Sequence, residues 1–334
     1  MHGGPVSRAD PSEEPGRFRP PARVTIVAGK GGVGKTTVSA ALAHLAAASG
    51  LHALIVEVEG KSGLPALFGR ADPLTYTAAT LLAAGVAGPG SVRARTLTPD
   101  DALLEYLEDR GMRRISKRLT ATGTLDVIAT AVPGIKDILV LGKVKQIEQQ
   151  ITAGVPGAPD CIIVDAPAAG HAVSFLSSAY GLLEAAAVGP IRTQAGDVVS
   201  MLSDPDRCQV MLVTLPEETP VNEAVDTAFH LEDRAGVKLA PIVVNGVWPH
   251  LDLPESVPAS LGVDAAGAER LLRAARFRTN RQAQQEEQIT RLASELPLPQ
   301  LPLPYLFTTD LGLTEVRQLA TALGQAISIG GTRL

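Results

Sequence analysis

Cysteine, tryptophan and methionine are scarce in this sequence: two, one and four residues among 334, with aromatics at 3%. Cys161 and Cys208 cannot make a disulfide framework or a Cys-x-x-Cys zinc clamp. No zinc is therefore expected, and a reducing cytoplasm is the expected compartment. No extended Lys/Arg patch appears and the net charge is -5, which argues against nucleic acid as the main partner. Uninterrupted apolar runs of the roughly 20 residues that a spanning helix needs are also absent. The nearest, residues 81–87, is short and runs into Gly88-Pro89-Gly90. Residues 1–22, rich in Pro, Gly and charge, have no apolar signal-peptide segment and are expected to form a disordered leader.

What the chain has in quantity is Ala, Val, Leu and Ile, within a hydrophobic fraction of 45%. That palette suits a parallel sheet covered by helices on both faces. Short β-branched runs alternate with longer helical patterns, the order of βαβ units. Strands are expected over 23–28, 53–58, 92–97, 125–130, 160–165, 209–214, 240–245 and 299–303. Helical patterns fill 35–49, 100–119, 135–151, 171–186, 219–235, 265–295 and 312–328. The fold class is therefore α/β, a doubly wound, mostly parallel sheet of about eight strands flanked by helices. Residues 70–124, Gly/Pro-rich and polar, read as a small insertion on the sheet within one domain over 23–334.

Residues 29–37 read Gly29-Lys30-Gly31-Gly32-Val33-Gly34-Lys35-Thr36-Thr37, after an apolar run and before an Ala/Leu-rich helix. This is a complete phosphate loop in its required strand-to-helix context. Its glycines let backbone N–H groups converge on phosphates, and the helix N-terminus adds a favourable dipole. Lys35 is expected at the β- and γ-phosphates of ATP, with the Thr36 hydroxyl on Mg2+. Cys161-Ile162-Ile163-Val164-Asp165 supplies a second anchor, four apolar residues followed by a carboxylate. Asp165 is expected to hold Mg2+ through a water, and the plain alternative is a strand-end turn former. Residues 166–171, ending in Gly170-His171, are small and read as a switchable loop beside the γ-phosphate.

A phosphate loop needs one lysine, and this one has two. If the loop has its usual shape, Lys30 points away from its own nucleotide. A cation there best serves a phosphate held by a facing subunit, in the manner of an arginine finger. A solvated surface lysine is the bland alternative.

The stretch K-G-G-V-G-K-T-T resembles the deviant Walker A of phosphate-loop (SIMIBI-type) ATPases that dimerise on ATP. Asp165 to His171, D-A-P-A-A-G-H, resembles the D-T-A-P-T-G-H switch II of the arsenite-pump and tail-anchored-protein-targeting (ArsA/GET-type) ATPases, with Asp165, Gly170 and His171 in register. Leu215-Pro216-Glu217 through Glu223 resembles the stretch after that family's following strand, and Pro133-Gly134-Ile135-Lys136-Asp137 its P-G-I-D-E. Val243-Val244-Asn245 resembles the V-V-N whose amide recognises adenine, one donor and one acceptor for N6 and N7. The loop at Pro304 would close over the base. On these motifs the chain is identified as a member of the family over about 23–330, similar to an actinobacterial subgroup.

The resemblance implies a cytoplasmic ATPase that dimerises around ATP and Mg2+ and couples that cycle to binding and release of a protein client, a membrane-associated one being an option. The partner is a second copy or a paralogous ATPase. His171 would contact nucleotide or partner, unless it is structural. The departures sharpen the reading. Ungapped alignment places Glu59 where the family's switch I has the Asp that orients water. One extra methylene shifts that carboxylate, so hydrolysis is expected to be slow. An alternative follows, a weakly catalytic nucleotide-sensing scaffold paired with a more active paralogue. Arsenite activation is not expected, because two separate cysteines cannot form a soft thiolate cluster. The family's targeting members hold clients in a Met-rich helical region; four methionines and a short 181–204 segment imply a reduced client region.

Overall fold

The computed structural model describes residues 18–58, 63–84, 89–112, 134–254, 256 and 261–329. Glu59, Pro133, the strand expected over 125–130 and most of the expected leader lie outside the described residues. Among the described residues nine strands are present: β1 (Val24–Gly29), β2 (His52–Val58), β3 (Thr80–Ala84), β4 (Ser91–Leu97), β5 (Cys161–Ala168), β6 (Cys208–Thr214), β7 (Lys238–Leu239), β8 (Ile242–Val247) and β9 (Gln300–Pro304). They form one sheet in the order β3-β4-β2-β5-β1-β6-β8-β9, with the short β7 paired to β6. Every pairing is parallel except β3 with β4. The described helices are α1 (Lys35–Ala48), α2 (Gly63–Leu67), α3 (Pro99–Asp109), α4 (Ile135–Thr152), α5 (Ala169–Ala185), α6 (Pro190–Leu202), α7 (Glu218–Ala235), α8 (Ala265–Glu295) and α9 (Leu313–Ile329).

Alternation along the strands divides the core into two layers. Val24, Ile26, Ile162, Val164, Val210 and Leu212 face α4 to α7, where Leu141, Leu176, Met201 and Leu231 are buried against them. Val27, Ile55, Ile163, Met211 and Val213 face the other way, onto Val38 and Leu42 of α1 and Val316 and Leu323 of α9. Apolar residues fill both faces, as a doubly wound sheet requires. Among the described residues, no helix is long and apolar enough to cross a membrane.

Three differences from the sequence reading have identifiable causes. The helix expected over 100–119 stops at Asp109, because Gly111 adopts a left-handed φ of 77°. Gly111 N–H then donates to the Glu108 carbonyl and Met112 N–H to that of Leu107, which closes the helix end. The apolar 80–84 stretch adds to β4 as an antiparallel edge strand. A further helix, α6, lies within the 181–204 segment expected as a reduced client region; it buries Ala195, Val198, Met201 and Leu202 along one face.

A buried carboxylate ties one helix to two strand entrances. Glu148 of α4 accepts from Arg23 Nε at 2.7 Å and from Arg207 Nη2 at 2.8 Å, just ahead of β1 and β6. Burial pushes its carboxyl upward, but the guanidiniums of Arg207 and Arg23 outweigh that and hold it below the usual carboxylate range.

Candidate nucleotide site

The central strand β1 lies between β5 and β6, with β2 to β5 built on one side of it and β6 to β9 on the other. Such a reversal opens a crevice at the carboxyl ends of the strands. The glycine loop 29–34 occupies that position, between β1 and α1. Two of its glycines are required by packing. A Cβ on Gly29 would sit 2.2 Å from the Val213 carbonyl oxygen. Gly34 has a φ of 95°, and a Cβ there would come within 2.4 Å of Asn245 Nδ2. Over Gly31 and Gly32 an added Cβ would meet nothing within 4 Å. The loop is pinned at its ends and open at its crown, where phosphate oxygens would lie.

Lys35 is buried, and its Nζ donates to the Gly29 and Lys30 carbonyls at 3.0 Å each. The ammonium thus reaches back across the loop to its first two residues. The Thr36 hydroxyl donates to Asp165 Oδ2 at 2.7 Å, joining the first turn of α1 to β5. Thr37 follows on the same turn, half-buried. Asp165 is fully buried and faces α1 because it belongs to the odd-numbered set of β5. Its register partner on β2 is Glu57, also buried. Glu57 was not singled out as a site residue from the sequence. The signal was present, a carboxylate inside the apolar run Leu54 to Val58 at the register of Asp165.

Lys30 forms an ion pair with Glu223 of α7 in the same chain. Sequence reading gave Lys30 no partner within the chain and gave Glu223 no role. Glu217, the N-cap residue of α7, pairs with Arg281 of α8. A cavity of about 470 Å³ runs between α5 and α7, from Gly170 and Ser174 to Glu223 and His230. Gly170 and His171 are exposed in the first turn of α5. The segment read as a loop is instead strand to Ala168 and helix from Ala169. A register shift against β1, Val27 with Asp165 but Gly29 with Ala168, bends the strand there.

Asn245, near the end of β8, donates from Nδ2 to the Val33 carbonyl at 2.9 Å. The side chain therefore braces the phosphate loop, and its second N–H and its Oδ1 are the groups it can offer a base. Pro304 ends β9 in register with Val247, and Tyr305 N–H donates to the Val247 carbonyl at 2.9 Å. Both cysteines are buried, and desolvation pushes each thiol up to about 12.

The donor set suits a hard divalent cation, with a hydroxyl and a carboxylate oxygen already in contact beside a glycine loop open at its crown. Sheet, loop and Thr36–Asp165 pair define a phosphate-loop nucleotide-binding protein. Residues 22–185 match the family described as anion-transporting ATPase. The chain is 35% identical over 255 residues to the ATPase BagA of Mycobacterium tuberculosis, covering 73% of this chain and 71% of that protein. It is 28% identical over 254 residues to the arsenical pump-driving ATPase of Acidiphilium multivorum, 67% of this chain but 39% of the relative. The arsenical pump-driving ATPase of Escherichia coli is likewise 28% identical, over 251 residues, 66% of this chain and 39% of the relative. The chain belongs to the anion-transporting ATPase family, the ArsA type.

Proposed function

We propose that the protein binds ATP with Mg2+ and hydrolyses it slowly, as one half of a dimer whose rearrangement binds and releases a protein client. The observation that carries this reading is the Thr36–Asp165 hydrogen bond at the foot of a complete phosphate loop. Loop N–H groups and Lys35 would hold the phosphates. Thr36 and Asp165 would hold Mg2+, which supplies charge neutralisation on the β- and γ-phosphates when bound. Glu59 would orient the attacking water, and Lys30 would reach a nucleotide held by the facing subunit.

Purified protein with ATP and Mg2+ is expected to release phosphate slowly, and Lys35→Ala to lose both nucleotide binding and turnover. Calorimetry showing no ATP binding by the unmodified chain would remove the reading.

Glu59 in place of the shorter carboxylate favours a second reading, a nucleotide-sensing scaffold that acts beside a more active paralogue. Comparing Glu59→Asp with the parent separates the two. A large gain in hydrolysis supports the blunted scaffold, and no gain supports the self-sufficient enzyme.

A further inference from the structure

The sheet ends at β9, which has β8 on one side and, among the described strands, none on the other. A cavity of about 540 Å³ runs along that free edge, between α8 and α9. Trp248, Ile289, Leu303, Ala322 and Ala326 give it an apolar body, and its size suits a small organic molecule. Neither Asn245 nor any residue of the phosphate loop lines it.

The free edge carries acceptors and hardly any donors. Ile242 N–H donates to the Pro299 carbonyl and Tyr305 N–H to the Val247 carbonyl, so the odd-numbered residues of β9 face β8. The even-numbered ones, Gln300, Pro302 and Pro304, turn their backbone polar groups to the edge. Proline has no N–H, so 302 and 304 show carbonyl oxygens alone. An added strand would need alternating donors and would find only that of Gln300, which disfavours strand addition here.

Gln282 of α8, also in the lining, adds a buried acceptor. The residue is 7% exposed; its Nε2 lies 3.2 Å from His250 Nδ1, while its Oε1 has no hydrogen-bond partner. Its neighbour Gln285 uses both ends of its amide, accepting from Trp248 N–H at 2.9 Å and donating to the Gly246 carbonyl at 3.1 Å. A buried oxygen without a donor is costly, so the open end of Gln282 asks for a donor from outside the chain. Among the described residues no Lys or Arg lines the cavity, and Glu286 is its one carboxylate. At 70% exposed, Glu286 stands at the rim.

We propose that this cavity binds a small organic cation, a protonated amine carried on an apolar body. The body lies against Trp248, Ile289 and Ala326. The ammonium, with three donors and no acceptor, meets the unpartnered Gln282 oxygen and the proline carbonyls, near the Glu286 carboxylate. A carboxylate on the same body would face acceptors and a like charge, and is rejected. The site is independent of the ATPase reading above.

The test is titration of the full chain with 4-phenylbutylamine, 4-phenylbutanol and 4-phenylbutyrate, followed by calorimetry and by the emission of Trp248, the sole tryptophan. The amine is expected to bind saturably, one per chain, and about tenfold or more tighter than either analogue. Glu286→Gln, at an exposed position, should weaken the amine about fivefold and leave the alcohol unchanged. Gln282→Leu should narrow the preference for amine over alcohol, and Ala326→Phe, at a half-buried position, should fill the cavity and abolish binding of all three. Pro304 is shared with the loop expected over adenine, so the amine titration is repeated with saturating ATP and Mg2+, where its affinity should not change. Equal affinity for the three probes, no saturable binding of the amine, its displacement by ATP, or binding indifferent to both Glu286→Gln and Ala326→Phe would each overturn the site.

Discussion

Lys30 is held by Glu223 of its own chain, although 193 residues separate them in sequence. Both side chains are partly exposed, at 35% and 40%, so the pair is worth no more than about 1 kcal/mol. That is weak enough for a partner's phosphate to displace the carboxylate. Glu223→Gln is expected to raise turnover up to about fivefold at limiting protein concentration, by freeing Lys30. Phosphate release measured against protein concentration checks this. Unchanged or reduced turnover would mean that Glu223 does not restrain the lysine.

The Thr36–Asp165 contact makes Mg2+ the next lever. Asp165→Asn and Thr36→Ala are each expected to lower turnover by about a hundredfold or more, because each removes a ligand from a charge-stabilising centre. Mg2+ titrations of phosphate release should show a higher requirement for metal in both variants. A variant retaining parental metal dependence would place the cation elsewhere.

Stability should depend on acid through Glu148. Its carboxyl is held below the usual range by Arg207 and Arg23, against the opposing effect of burial. The stabilisation is complete above the unfolded carboxylate pKa and is lost as pH falls toward the depressed folded value. Thermal unfolding of the parent should therefore move to lower temperature below about pH 4.5. Glu148→Gln is expected to cost about 2 to 3 kcal/mol at neutral pH and to flatten that dependence. Equal acid sensitivity in parent and variant would assign the effect to other groups.

The thiols offer a simple check on the core. Cys161 and Cys208 are buried, with thiols pushed up to about 12 by desolvation. Neither is expected to react with a thiol reagent in the native chain at neutral pH, and both should react once denaturant unfolds it. Rapid labelling of the folded protein would contradict the packing of β5 and β6.

Strands near 24–29, 52–58, 161–168 and 208–214 were legible because their apolar runs are local and buried on both faces. The phosphate loop and Asp165 were legible for the same reason, since a short motif carries its own context. What escaped depends on distance or on a single backbone angle. The β3 strand exists only through pairing with β4. The end of α3 depends on Gly111, and α6 is obscured by Pro190 and Gly196 although its buried face is regular. A carboxylate inside the apolar run at Glu57 was visible locally, but its place beside Asp165 comes from sheet register, and that of Glu223 beside Lys30 from helix placement.

The central claim is that Lys30 acts on a nucleotide bound by another subunit, and mixing two inactive variants addresses it directly. Lys30→Ala should bind ATP without turning it over, whereas Lys35→Ala should bind none yet keep its Lys30. Combined in equal amounts, they form some dimers with one intact composite site, so the account expects phosphate release to reappear at about a quarter of the parental rate. A mixture as inactive as its components, with mixed dimers demonstrably present, would contradict it.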